Sequence, residues 1–161
     1  MDKVYIGKIV STHGIKGEIR IVSDFQFKEK VFVVGKKLIV DEQTYEIKSY
    51  RKHKNYDMVL LGEFKNINDV LFLMKKNAYI DKSSLDLMDD EVLDSELIKF
   101  KVINGDLEGV VEEIFFASNT NKIIRVNING KSILVPFNSP MIKKISKSDE
   151  ILYLELIEGM L

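Results

Sequence analysis

Apolar and polar residues alternate with a period of two along much of this chain, and that period predicts strands. In residues 3–10, KVYIGKIV, Val4, Ile6 and Val10 share one parity while Tyr5 and Ile9 hold the other. EIRIV at 18–22 sets Ile19 and Ile21 against Glu18 and Arg20. Further strands are predicted at 37–40, 44–50, 58–61 and 78–81, where branched and aromatic residues suit a pleated surface. One segment departs from the pattern. In 66–76, NINDVLFLMKK, Ile67, Val70, Leu71 and Met74 recur at helical spacing, Asn66 or Asn68 can cap the start, and two lysines suit the C-terminal end of a helix dipole. A helix packed on the first sheet is expected there.

The two-residue alternation returns further on. Ile98, Phe100 and Val102 share a face, NGD at 104–106 supplies a turn, and strands are predicted near 107–116, 122–128, 131–135 and 151–156. A second NG pair, at 129–130, is a strong hairpin signal, because a type I′ turn needs positive φ at both central residues. Pro136 and Pro140 follow the fourth of these strands, where a missing N–H donor harms a sheet least. The predicted fold is mainly β: two small antiparallel units, read as barrels because closure removes exposed edges.

Charge locates the join between them. The 161 residues carry a formal net charge of −1, yet residues 1–81 hold 15 Lys and Arg against 11 Asp and Glu, whereas 82–161 hold 9 against 14. The stretch 82–96, KSSLDLMDDEVLDSE, has six carboxylates and one lysine, so it reads as a self-repelling, solvated connector. The expected domains are therefore 1–81, a linker 82–96, and 97–161. No apolar run approaches the roughly 20 residues needed to cross a bilayer as a helix, and MDKVYIGKIV lacks the features of a signal peptide, so a cytoplasmic protein without membrane contact is expected. The absence of cysteine removes disulfides, thiol nucleophiles and thiolate metal sites together.

Catalytic patterns are not assembled in this sequence. NGKS at 129–132 ends like a phosphate-binding loop, but Arg125 stands where that loop's first glycine belongs. His13 and His53 are separated by forty residues and have no cysteine near them. No G-x-S-x-G turn occurs, and the carboxylates Asp89, Asp90 and Glu91 fall in the connector. The expectation is a protein that is not an enzyme and uses no cofactor or metal. What remains is basic residues on turns. RKHKN, 51–55, places Arg51, Lys52 and Lys54 around His53 at a hairpin tip, with Tyr50 and Tyr56 flanking it, a composition that suits phosphate oxygens and stacked bases. STHGIKGEI, 11–19, joins His13 and Lys16 to Gly14 and Gly17, whose freedom at positive φ shapes the loop, and Arg20 extends the same outward face.

GKIVSTHGIKGEIRI, residues 7–21, resembles the N-terminal signature of the RimM family of ribosome maturation factors. The resemblance continues through VLLGEFKNINDV, LEGVVEEI, ILVPF and the terminal LELIEGML, and so spans nearly the whole chain. It implies a translation-factor-like N-terminal barrel, a linker and a C-terminal PRC-type barrel. It also implies an assembly factor that binds the immature small ribosomal subunit, its rRNA, and the ribosomal protein numbered nineteen of its head, and catalyses no reaction. On this reading His13, Lys16, Arg20, Arg51, Lys52 and Lys54 are rRNA-binding, Gly14, Gly17 and Glu18 shape the loop, and Val92, Leu93, Pro136 and Phe137 face a protein partner. A monomer is expected. The alternative is a protein-interaction module centred on the PRC-type barrel, with no direct role in RNA. Departures from the family pattern cluster before the second domain: Val92 and Leu93 stand where aromatics are usual, Glu96 for aspartate and Lys99 for glycine, and Lys122 stands where an acid is usual. Without aromatic anchors a weaker hold on the partner is implied.

Overall fold

The structure, a computed structural model, describes residues 2–161. It divides into two compact units, one ending at Asp86 and one running from Leu87 to Leu161.

The first unit contains β1 (Lys3–His13), β2 (Glu18–Val22), α1 (Lys28–Val31), β3 (Lys37–Val40), β4 (Gln43–His53), β5 (Tyr56–Leu61), α2 (Ile67–Val70) and β6 (Asn77–Asp81). Its strands pair in the order β1-β2-β5-β4-β3-β6 and close into a barrel. Closure depends on β1, which is long enough to serve two neighbours. Lys3–Lys8 pair with Asp81–Asn77, and Lys8–His13 with Val22–Glu18, with register shifts at Tyr5/Gly7 and Ile9/Ser11 that let the strand turn the corner. The alternation read from sequence is the inside of this barrel: Ile6, Ile9, Ile19, Ile21, Leu38, Ile47, Val59, Leu61 and Ile80 are all buried. Each such side chain contributes about 1.5–3 kcal/mol relative to exposure.

The helix expected over 66–76 is much shorter. Asn66 does cap it, accepting a hydrogen bond from the Asp69 N–H at 3.2 Å, but α2 ends at Val70 and a 3-10 turn, Leu71–Leu73, follows. The barrel claims the backbone beyond. The Lys75 N–H donates to the Ile9 carbonyl at 2.8 Å and the Ile9 N–H to the Lys76 carbonyl at 2.9 Å, bonds that a continuing helix would forfeit. Lys75 accordingly sits at φ 65°, Leu73 is buried, and Leu71 is left half exposed.

The second unit contains α3 (Asp94–Leu97), β7 (Lys101–Asn104), β8 (Leu107–Ser118), β9 (Asn121–Ile128), β10 (Lys131–Pro136), β11 (Ile142–Ser146) and β12 (Ile151–Leu154). It forms a six-stranded sheet in the order β10-β9-β8-β7-β12-β11, antiparallel except for the parallel pair β7 and β12. The ring expected from sequence is not closed by hydrogen bonds, since β10 and β11 are outer strands. β11 lies in MIKKISK, whose lysines hide its alternation. Asn129 and Gly130 both adopt positive φ, as the type I′ reading requires, whereas at 104–106 the two-residue turn is Gly105–Asp106 and only the glycine has positive φ.

The acidic stretch is folded rather than wholly solvated. Leu85 closes a 3-10 turn of the first unit, and Val92 and Leu97 join the second unit's core with Phe100, Val102, Val111, Ile124, Val126 and Leu152. Asp89, between these apolar anchors, finds a polar partner: its side chain accepts the Ser148 N–H at 2.8 Å, which lowers its pKa. The run of charge obscured this.

Candidate nucleic-acid interface

Barrel order decides which residues meet. Because β2 pairs antiparallel with β5, the 14–17 connection and the 54–55 turn lie at opposite ends of that pair, and the two segments meet through side chains on the outer face between them: Arg51 reaches Glu18, and the His13 and His53 rings are 5.8 Å apart. The register sets His13 opposite Glu18, Ser11 opposite Arg20, Arg20 opposite Met58, Met58 opposite Arg51 and Tyr56 opposite His53. Cross-strand partners share a face, so His13, Glu18, Arg20, Arg51, His53 and Tyr56 form one outward patch across four strands.

The connection is anchored by the start of α2. The Ile15 carbonyl accepts the Ile67 N–H at 3.0 Å, and Gly17, at φ +96°, lies so close that a Cβ would stand 2.9 Å from the Asn66 carbonyl oxygen. Gly14, at φ +73°, faces open space. Gly17 is thus required twice, for its dihedral and for the close approach, and Gly14 once. The side chains of this turn, with Glu18 and Leu60, line a hollow of about 290 Å³ beside His13, and Ile15 projects into solvent.

The cations of the patch fall into two sets. Arg51 and Arg20 are committed. The Arg51 Nε and Nη2 each donate to the Glu18 carboxylate at 2.8 Å, and this pairing, opposed by partial burial, holds the Glu18 carboxyl below its usual range. Glu18, expected to shape the loop, instead positions an arginine. Arg20 donates through Nη2 to His13 Nδ1 at 2.6 Å and through Nη1 to the Thr12 carbonyl at 2.6 Å, with its guanidinium 5.7 Å from the Tyr56 ring centre. Since a guanidinium can only donate, His13 carries its proton on Nε2 in this arrangement. The His13 and His53 rings are 5.8 Å apart, and His53 is held below its ordinary pKa first by desolvation and then by Arg51 and Lys54. By contrast Lys16 and Lys54, on the turns that border the patch, and Lys52, which the register of β4 sets on the face opposite Arg51 and His53, are exposed and have no hydrogen-bond or ion-pair partner among the described residues. Lys54 also sits at φ 56° at the turn.

Sequence reasoning missed what lies under the patch. Asp57, 1% exposed, receives the Tyr50 hydroxyl at 2.7 Å and the Lys28 ammonium at 2.7 Å, which ties α1 to β4 and β5. The Tyr50 ring stacks on Phe32 with centroids 5.5 Å apart, and burial with the Asp57 bond pushes its hydroxyl up to about 12. Tyr50 is therefore turned inward and not free to stack on a base. The clue was an acid inside the apolar run YDMVLL.

The residues assigned to a protein partner are also largely internal. Val92 and Leu93 are 5% and 6% exposed, and Phe137 packs against the core with Lys122 Nζ 4.3 Å from its ring centre. Lys122 pairs with Asp94 as well, so the lysine found in place of an acid pins α3 to the sheet. Pro136 ends β10 half-buried.

Residues 4–85 match the RimM N-terminal domain. The chain is 32% identical to the ribosome maturation factor RimM of an Exiguobacterium species, covering 100% of this chain and 98% of that one. It is 34% identical to that of Ligilactobacillus salivarius, over 99% of both chains. It is also similar to the crystal structure of a 16S ribosomal RNA processing protein RimM from Pseudomonas aeruginosa, at 21% identity, 97% and 98% coverage, and a TM-score of 0.47.

Proposed function

The chain belongs to the RimM family, and on that premise we propose that it is a non-enzymatic assembly factor of the small ribosomal subunit. It binds immature 16S rRNA through the basic outer face of its first unit, acts in the cytoplasm, and engages the ribosomal protein numbered nineteen of the subunit head through its second unit. The supporting observation is the set of three unpartnered lysines, Lys16 and Lys54 on the turns at either end of the outward patch and Lys52 near the end of β4, around side chains that the β2–β5 and β5–β4 pairings bring together. Unpaired surface ammonium groups gain most from phosphates, because counterions are released without breaking an internal ion pair.

The mechanism is differential binding. A factor that holds one rRNA arrangement more tightly than its competitors shifts the folding population by that difference, about 1.4 kcal/mol per factor of ten, and no bond need be broken. Release follows when the mature surface no longer matches. The test is co-sedimentation with small subunits from cells lacking the protein and with mature ones. Preferential binding to the immature particles is expected, and equal or absent binding to both would refute the proposal. Replacing Lys16, Lys52 and Lys54 together with Gln should weaken binding and flatten its salt dependence by about 0.7 in log–log slope for each single-strand phosphate no longer neutralised.

A further inference from the structure

Arg51 differs from the three lysines in what it can recognise. Its Nε and Nη2 are occupied by Glu18, and Glu18 is itself only 17% exposed in its side chain, so the pair is held from the protein side. The guanidinium is planar and rigid, so fixing that edge also fixes the direction of the other one. The opposite edge, built from Nη1 and the second N–H of Nη2, points away from Glu18. It has no acceptor among the described residues, and the side chain is 47% exposed.

The charge of this arginine is compensated by its carboxylate partner, which reduces its attraction for a phosphate relative to Lys16, Lys52 and Lys54. Its remaining donors are two parallel N–H groups at fixed spacing. The neutral acceptor pair that fits such a fork is the O6 and N7 edge of guanine. The neighbours suit a base as well. His53, two residues along the same face, has its pKa lowered by desolvation and by Arg51 and Lys54, and Tyr56 lies opposite it, with the Arg20 guanidinium 5.7 Å from its ring centre. Flat rings beside a donor fork, with lysines on the surrounding turns, are what an unpaired nucleotide requires.

Resting on the rRNA-binding reading above, we propose that Arg51, buttressed by Glu18, reads the O6/N7 edge of an accessible guanine, while Lys16 and Lys54, on the turns at either end of the patch, hold phosphates of the same strand. The guanine lies in a loop, bulge or unfolded segment, because the major groove of a regular RNA helix is too deep and narrow for the fork to enter.

Dimethyl sulfate, which methylates guanine N7, tests this on small subunits from cells lacking the protein. Full-length wild type, Arg51→Lys and Glu18→Gln are each added until co-sedimentation shows equal occupancy. Wild type is expected to shield at least one guanine N7. Arg51→Lys, which keeps the charge but loses the fork, should leave that position reactive and raise the concentration needed for occupancy about tenfold. Glu18→Gln should shield less than wild type while steepening the salt dependence by about one unit, since the freed Arg51 then behaves as another phosphate-seeking cation. Unchanged N7 reactivity under bound wild type, or equal shielding by Arg51→Lys, would overturn the guanine assignment and leave rRNA binding intact. Equal shielding by Glu18→Gln would overturn the buttress. If wild type fails to co-sediment at all, the rRNA-binding reading falls, and the guanine assignment with it.

Discussion

Replacing Gly17 by alanine should damage the first unit far more than replacing Gly14, although both are glycines at positive φ in the same turn. At Gly17 the added Cβ meets the Asn66 carbonyl oxygen at 2.9 Å and its carbon at 3.3 Å, and φ is +96°. A positive φ costs an L-residue about 1–2 kcal/mol, and forcing a methyl against a backbone that cannot rotate away costs about 1–3 more. Alanine's stiffer unfolded chain returns about 0.4–1 kcal/mol, which leaves a net loss of about 2–4. At Gly14, with φ +73° and open space around it, only the dihedral term applies, and the net loss is about 1 kcal/mol. In a unit of this size each kcal/mol moves Tm by about 4–8 °C. Urea unfolding followed by amide signals of the first unit measures both variants. Hydrogen exchange at the Ile67 amide reports the local break, because its N–H is the bond from α2 to the turn at Ile15. If the two variants lose the same stability, or if Gly17→Ala keeps Ile67 protected, the close-approach argument is wrong.

Asp57→Asn should destabilise the first unit by about 2–3 kcal/mol in chemical denaturation, because it strands the Lys28 ammonium and weakens the Tyr50 bond at a site 1% exposed. Tyr50 is raised to about 12 from 10.0, so the native state keeps a proton that the unfolded chain releases. Its contribution is therefore complete below about pH 10 and is lost as pH rises toward 12. Urea midpoints across that window should fall more steeply for wild type than for Tyr50→Phe, and parallel curves would contradict the assignment. Gly109→Ala places a Cβ 2.1 Å from the Asn127 carbonyl oxygen within the β8–β9 ladder. It should cost the second unit about 3 kcal/mol or more, and residue-resolved exchange should show the first unit's barrel amides unaffected.

Local patterns were readable because they are local in their causes. The alternation at 18–22 and 122–128 is imposed by one wetter and one dry face, and the short apolar runs at 37–40 and 58–61 are rich in the branched residues that suit a pleated surface, so strands appear at all four. Asn129–Gly130 makes its turn with its own dihedrals. Errors arose where a distant element outbid a local preference. The helix at 66–76 has the right spacing and the right cap, yet the edge of β1 takes the Lys75 and Lys76 backbone groups, and the helix stops at Val70. In 82–96 charge dominates the composition, but three or four leucines and valines among the carboxylates are enough to anchor the stretch once a core stands nearby.

The same distinction governs the candidate site. The motif at 13–18 and the basic turn at 51–54 were visible as residue types, because glycine pairs and clustered cations stand out in any sequence. That they form one patch was decided by the strand order β1-β2-β5-β4, which the long-range pairing of β2 with β5 sets and no short stretch encodes. Which cations are free was likewise a tertiary matter. Arg20, Arg51 and Lys16 read alike as positive charges, but the partner that neutralises Arg51 lies thirty-three residues away, and the acceptors that hold Arg20 come from the neighbouring strand. Sequence by itself determined the two β units, the shaped turn and the family. Only the folded barrel sorted the cations into fixed forks and free ammonium groups, because hydrogen-bond partners are chosen by position in space and not by position along the chain.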